Sequence, residues 1–348
     1  MAEGNEVFIY TFTLQYPSFL FPGKTQYSSE PAPKNLTIIP SINSINPLNW
    51  WKVGKALRRL QPNLIVVRYW LPFMGPALGT ILRQAKKNIE TKVVCIADNI
   101  IPHEKRPGDK WFTRYFIKPV DTFITMSEKV MSDLRKFSQK PAQVISHPLY
   151  DNFGDIISQK DARQFLGIPE EKKIILFFGF IRAYKGLDML LEAMHLLKEK
   201  YANQPNEMPQ LLIAGEFYEN RERYDELIKK FQLTDSLILH TDFIPDSEVK
   251  FYLCAADVVA QPYHRATQSG VTPLAYYFEV PMVVTPVGNL PNMVPDNIAG
   301  LIAQPNAISF SDTLIRYFEI GKAHFLPGIK EEKKKYQWTN LTRAIWNS

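Results

Sequence analysis

The 348-residue sequence holds only two cysteines, Cys95 and Cys254, far apart and each inside an apolar run. It has no CxxC, no HExxH and no Cys/His cluster, so it offers neither a disulfide framework nor the ligand spacing of a zinc site, and both cysteines read as core residues. No run of about 18 uncharged apolar residues occurs, and no helix is expected to span a membrane. The opening MAEGNEVFIY has no basic patch ahead of an apolar segment and does not read as a signal peptide. Neither GxGxxG after a strand nor GxxxxGK[ST] is present, which argues against ordinary dinucleotide and P-loop sites. Short-period repeats and low-complexity tracts are missing as well. So is the aromatic-plus-basic stripe of a nucleic-acid binder.

What is present is globular: 45% apolar and 22% charged residues, in a length that suits two domains. The formal net charge of +6 favours an acidic partner, whether nucleic acid, phosphorylated substrate or anionic lipid, although the basic residues are mostly scattered. One cluster stands out in NWWKVGKALRRL, residues 49–60, where Lys52, Lys55, Arg58 and Arg59 are basic and Trp51, Leu57 and Leu60 can turn inward. That pattern fits a helix resting on a lipid surface, and equally an ordinary surface helix with a solvated basic face.

Along the first half, short apolar runs alternate with helical patterns. EVFIYTF (6–12), NLIVVRYW (63–70), TKVVCIAD (91–98), DTFITMS (121–127) and AQVISHP (142–148) read as strands, with helices over 74–87 and 127–137. Several of these runs are apolar at consecutive positions, as strands of a parallel sheet covered on both faces are. HPLYDNFGD (147–155) is rich in turn formers and marks a boundary. A second series follows: KIILFFG (173–179), PQLLIAGE (209–216), SLILHTDF (236–243), DVVAQPY (257–263) and PMVVTPV (281–287). The helix at 187–200 has Leu187, Leu190, Leu191, Met194 and Leu197 on one face. Two α/β doubly wound domains result, with a cleft between them as the natural binding site. The end, YQWTNLTRAIW, reads as one more helix.

Ligands of such sheets sit at the C-terminal ends of the strands. In FFGFIRAYKGLDMLLEAM (177–194), Gly179 ends an apolar run, Arg182 and Lys185 follow, and Gly186 opens a helix whose N-terminus adds partial positive charge. Two cations and a helix N-terminus at a strand end make a diphosphate cradle; two solvated surface cations are the bland alternative.

A second stretch, PYHRATQSGVTPLAYYFEVPMVVTPVGNLPNMV (262–294), places a loop before a helix, then a strand and a glycine turn. Taken with GFIRAYKGLDMLLEAM, LLIAGE and DFIPDSEVKFYLCAADVVAQPY, it strongly resembles the retaining glycosyltransferases of family 4, over nearly the whole chain. ADNIIPHEKRPGDKWFTRYFIKPVDTFITMS (97–127) is similar to the acceptor-side segment of a bacterial polysaccharide branch of that family. The resemblance implies the GT-B fold: two Rossmann-like domains, over 1–148 on the acceptor side and 149–335 on the nucleotide-sugar side, and a helix over 336–348 returning toward the first. It implies that Arg182 and Lys185 hold the donor diphosphate and stabilise the leaving group. Thr267, Gln268, Ser269, Gly270 and Val271 form the loop whose backbone N–H groups meet sugar and diphosphate, and Gly215 and Glu216 the strand-end turn beside the nucleotide. Asp98, Asn99 and His103 match the region facing the transferred sugar and acceptor, with His103 a candidate acid or base and Glu104 able to orient it or to pair with Lys105.

The expected activity is that of a hexosyltransferase-type enzyme, cytoplasmic or at the inner face of the membrane. It moves a sugar from a UDP- or GDP-linked donor to a glycan or lipid-linked acceptor, with retention, no metal and no other cofactor. Many family members carry two glutamates where this chain has Thr267 and Ala275, so those contacts must differ. That departure favours a second reading, a catalytically inactive nucleotide-sugar-binding or scaffold protein. An epimerase sharing the two-domain fold would place carboxylates at those same positions and ranks below both. The resemblance also implies a strand, a glycine-rich loop and a helix ahead of EVFIYTF, about 30 residues or more. On that expectation the chain starts late, Met1 is an internal methionine, and the first domain is short of a central strand.

Overall fold

The computed structural model describes residues 4–17, 36–87, 90–102, 106–149, 152–266 and 269–348. The chain divides into two compact units, residues 1–146 with 339–348, and residues 147–338.

Unit 1 runs β1 (Phe8–Leu14), β2 (Thr37–Asn43), α1 (Pro47–Leu60), β3 (Leu64–Tyr69), α2 (Gly75–Ala85), β4 (Lys92–Ala97), α3 (Asp109–Ile117), β5 (Thr122–Thr125), α4 (Glu128–Arg135) and β6 (Ala142–Val144). Its strands form two separate parallel sheets, β1-β2 and β3-β4-β5-β6. The registers pair Leu64 with Lys92 and Val94 with Thr122. No ladder joins β1 to β3 among the described residues. Side chains connect them instead: Phe12 of β1 meets Trp70 edge to face at 6.2 Å, and the Trp70 indole N–H donates to the Tyr16 hydroxyl at 2.6 Å. The core between sheet and helices holds Tyr69, Met74, Val93, Cys95, Phe116 and Phe123, with Phe116 stacked on Tyr69.

Helix α1 is capped at its start: Asn46 accepts from the Asn49 N–H at 3.2 Å, and Pro47 sits in the first turn, where its missing N–H costs nothing. It buries Val53, Gly54 and Leu57, whereas Trp51 and Leu60 face solvent and not the core. Three inward positions suffice to seat the helix on α2, so the Trp51 ring is left outside with the Lys55 ammonium over its face at 5.0 Å.

Unit 2 runs α5 (Gln159–Leu166), β7 (Ile174–Phe178), α6 (Leu187–Lys200), β8 (Gln210–Ala214), α7 (Glu222–Lys230), β9 (Leu237–His240), α8 (Val249–Ala255), β10 (Val258–Gln261), α9 (Val271–Tyr277), β11 (Met282–Val284), α10 (Leu290–Met293), β12 (Gly300–Ile302), α11 (Ala307–Ile320) and α12 (Lys322–Lys333). A single six-stranded parallel sheet, in the order β12-β11-β10-β7-β8-β9, carries it. The order reverses between β7 and β10, so the loops after these two strands diverge and leave a crevice at the switch point. The apolar runs of β7, β8 and β10 are buried throughout or nearly so, between helices on both faces. A buried pair anchors one end of the sheet: Arg163 of α5 donates to Asp257 at 2.9 Å, and Asp257 accepts from the Ile174 N–H at 2.6 Å.

The final helix α13 (Trp338–Trp346) returns to unit 1, where Leu341 and Ala344 pack with Val94, Ile124 and Met126. The Gln143 amide holds it by donating to the Ala344 carbonyl at 3.0 Å. Cys95 and Cys254 are free and buried.

Candidate functional site

The switch point of unit 2 gathers the cradle. At the end of β7, the Gly179 N–H donates to the Ala214 carbonyl at 2.8 Å, and the Ile181 N–H to the Glu216 carbonyl at 2.8 Å. The loop after β7 therefore lies directly on the turn after β8. Gly215 makes this possible: it has φ +136°, and a Cβ there would stand 2.5 Å from the Gly179 carbonyl oxygen. Further on, Gly186 has φ +71°, and its Cβ would fall 1.9 Å from the Pro262 carbonyl oxygen. Only glycine lets the start of α6 touch the chain leaving β10.

Lys185 lies in the loop between Gly179 and Gly186. It is 8% exposed, and no ion pair or hydrogen bond of its ammonium is found among the described residues. Burial pulls its pKa down from 10.5 to about 8, and the nearby Arg182 guanidinium adds to the fall. Its Nζ stands 3.1 Å from the position that a Cβ of Gly179 would occupy. An unpartnered, dehydrated ammonium is costly unless an anion joins it. Arg182 is exposed and lies 5.2 Å over the Tyr218 ring, which packs on Phe180 at 4.3 Å.

A pocket of about 220 Å³ brings Gly179 and Lys185 together with Ser269, Gly270 and Val271, and Phe180, Tyr184 and Tyr263 complete its wall. Arg182, Gly215 and Glu216 stand around this pocket without lining it. Thr267 and Gln268 lie outside the described residues, as do His103 and Glu104 of unit 1.

The loop before α9 departs from what its resemblance implies. The Ser269 hydroxyl donates to Gln261 Oε1 at 2.6 Å and accepts from the Val271 N–H at 3.2 Å and the Thr272 N–H at 3.4 Å. Val271 thus spends its N–H inside the protein. Gly270, with open space where a Cβ would stand, lines the pocket. The Thr272 hydroxyl also donates to Gln261 Oε1, at 3.1 Å, and Tyr263 and Ser269 share a hydrogen bond at 3.2 Å. Gln261 is therefore the support of the loop. The sequence hinted at it only as a polar residue ending an apolar strand.

Asp188, in the first turn of α6, accepts from Arg223, and His264 Nε2 stands 2.9 Å from it. His147 Nδ1 lies 2.8 Å from the Pro148 carbonyl oxygen. In unit 1, Asp98 follows β4, where a ligand-facing carboxylate was expected, but Arg68 of β3 holds it with two hydrogen bonds of 2.7 and 3.2 Å. Asn99 beside it is half-buried.

Residues 158–327 match the family described as Glycosyl transferases group 1. The match lies within unit 2. A Bacillus subtilis (strain 168) protein named as the teichuronic acid biosynthesis glycosyltransferase TuaC is 23% identical over 303 residues, covering 82% of this chain and 73% of that protein. The D-inositol 3-phosphate glycosyltransferase of Corynebacterium urealyticum is 27% identical over 53% of this chain and 45% of its own length. This chain spans about half the length of the D-inositol 3-phosphate enzymes it matches. Among solved structures, Anabaena HepE in complex with UDP superposes with a TM-score of 0.68 at 14% identity, over 90% of this chain and 85% of that one. The chain has the GT-B architecture, an α/β fold of two Rossmann-like units built on parallel sheets, with a final helix that returns to the first.

Among the described residues, no His, Cys, Asp and Glu cluster could hold a metal ion, and no helix is long and apolar enough to cross a membrane.

Proposed function

We propose that this protein transfers a sugar from a nucleotide-sugar donor, UDP- or GDP-linked, to a glycan or lipid-linked glycan acceptor, with retention and without a metal. The observation that carries the reading is Lys185, buried in the pocket at the switch point with no ion pair or hydrogen bond among the described residues. Loss of a nucleoside diphosphate places negative charge on the leaving group as the sugar carbon turns positive. Lys185 and Gly270 line the pocket, and Arg182 near Lys185 adds to the positive field. Fixed dipoles and cations of this kind stabilise developing charge with little reorganisation. The donor's own phosphate oxygen takes the acceptor proton in this scheme, so that no enzyme nucleophile is required. TuaC, named for teichuronic acid biosynthesis, and HepE, solved with UDP and with UDP-glucose, support a nucleotide-sugar donor and a polysaccharide context. We place the enzyme in the cytoplasm, with peripheral contact to the inner face of the membrane. Helix α1, which carries four cations, no acid, and exposed Leu48 and Trp51, supports that contact.

The test is thermal shift and calorimetry with UDP, GDP and their sugar conjugates, with and without chelator. Stabilisation by one nucleoside diphosphate, retained in chelator and lost in Lys185→Ala, is expected. No stabilisation by any of them, or activity restored only by a divalent ion, overturns the reading.

A second reading, a binding protein without turnover, is favoured by Asp98 being held by Arg68 and by the full burial of Ala275. Donor binding without hydrolysis or transfer would select it.

A further inference from the structure

A second cavity, of about 580 Å³, lies within unit 1 beside helix α3. Its size is that of a small-molecule site. Its apolar wall includes Ile100, Ile101 and Phe137, and its rim carries Arg106, Lys110 and Arg114. The three rim side chains have no ion pair or hydrogen bond among the described residues. Among the described residues, one carboxylate lines the cavity, that of Asp109, and it accepts from the Arg106 backbone N–H at 2.7 Å. Lys110 and Arg114 are four residues apart on α3, a spacing at which like charges destabilise a helix. An apolar wall under an uncompensated positive rim matches a ligand with the opposite arrangement, an apolar chain ending in an anion.

We propose that this cavity binds an amphipathic phosphate, its phosphate against Arg106, Lys110 and Arg114 and its hydrocarbon chain along Ile100, Ile101 and Phe137. The binding site stands independently of the donor pocket. Its role as the anchor of a lipid-linked acceptor rests on the glycosyltransferase reading above. The charge-assisted contacts supply orientation, and burial of the chain supplies most of the affinity.

The test uses the full chain and farnesyl phosphate below its micelle concentration, followed by calorimetry. Farnesol, inorganic phosphate and phosphatidylglycerol vesicles serve as separate arms. Saturable one-to-one binding of farnesyl phosphate is expected, at least about tenfold tighter than farnesol or inorganic phosphate. Arg114→Ala and Lys110→Ala, both at exposed positions, are each expected to weaken it about tenfold. Ile101→Ser is expected to weaken farnesyl phosphate and leave inorganic phosphate unchanged. Equal affinity for inorganic phosphate would reduce the site to an anion patch, and equal affinity for farnesol would reduce it to a greasy cavity. Binding to vesicles but not to the monomeric lipid would make it a membrane-facing surface. Any of these outcomes, or unaltered affinity in both charge variants, overturns the proposal. The UDP thermal shift, measured on the same samples, reports the donor pocket separately. A protein that binds UDP but not farnesyl phosphate refutes this inference alone, and one that binds farnesyl phosphate but no nucleotide refutes the donor reading alone.

Discussion

Unit 2 closes its six strands into one sheet, while unit 1 divides six strands between a pair and a foursome. In unit 2 the strand order reverses between β7 and β10, which are hydrogen-bonded neighbours pairing Val258 with Ile175, so the crevice above them has a rigid floor. In unit 1, β1 and β3 belong to separate sheets, meet through Phe12, Tyr16 and Trp70, and share no ladder among the described residues. Val7, Phe8, Ile9 and Val66 are exposed there. The contrast teaches that a strand-end site needs continuity beneath it. Lys185 can be held buried, with no partner among the described residues, because Gly179, Gly186, Gly215 and Gln261 fix the loops on both sides of the reversal.

The largest effect that would break this comparison is expected from Gly186→Ala. A Cβ 1.9 Å from the Pro262 carbonyl oxygen, at φ +71°, should cost about 3–5 kcal/mol. Hydrogen exchange should show faster opening of β7 and β10 with β3 to β5 unchanged. Equal protection in both proteins would mean that the close approach carries no weight.

Lys185→Met comes next and acts in two directions. Nucleoside diphosphate affinity should fall by about 2 kcal/mol, the scale of a charge-assisted hydrogen bond. The ligand-free protein should gain stability, because the drop of the lysine pKa from 10.5 to about 8 is worth roughly 3 kcal/mol. The unfolded chain binds the extra proton between pH 8 and 10.5, so wild-type stability rises with pH across that window. The advantage of Lys185→Met is therefore full below pH 8 and vanishes by pH 10.5. Denaturant titrations at pH 7 and pH 10.5 read both limits. A variant less stable than wild type at pH 7 contradicts the burial argument.

Gln261→Leu should cost about 2 kcal/mol, because the Ser269 and Thr272 hydroxyls lose their common buried acceptor. It should also weaken donor binding although Gln261 does not line the pocket. Unchanged calorimetric affinity would show that the loop holds itself.

The smallest effect sharpens the view of unit 1. Arg68 is more than half exposed, so Arg68→Ala should cost under about 1 kcal/mol by denaturant titration. Transfer activity that survives this change but not Asp98→Asn would give the carboxylate a role beyond its ion pair.

Much of the fold was legible because it is local. The helix at 187–200 emerges with the expected bounds, and β7, β8 and β10 lie inside their apolar runs. Strand β2 was not legible, because Pro40 interrupts it; the residue is tolerated there since β2 has β1 on one side only. Strand β12 is three residues long, too short for a period to show. Residues 6–12 announce a strand, and nothing in them announces that it pairs outside the main sheet.

By itself the sequence determined the alternation of strands and helices, the two α/β series, and the placing of Arg182, Lys185 and two glycines after a buried strand. These follow from side-chain periodicity and backbone preference, which act within a few residues. Tertiary structure alone decided that Lys185 is buried while Arg182 is not, that Ser269 turns its hydroxyl to Gln261 and takes the Val271 N–H, and that Asp98 is claimed by Arg68. Each of these outcomes depends on groups brought together by packing across the sheet, where solvent exclusion and hydrogen-bond partners are set by neighbours that sequence distance does not reveal.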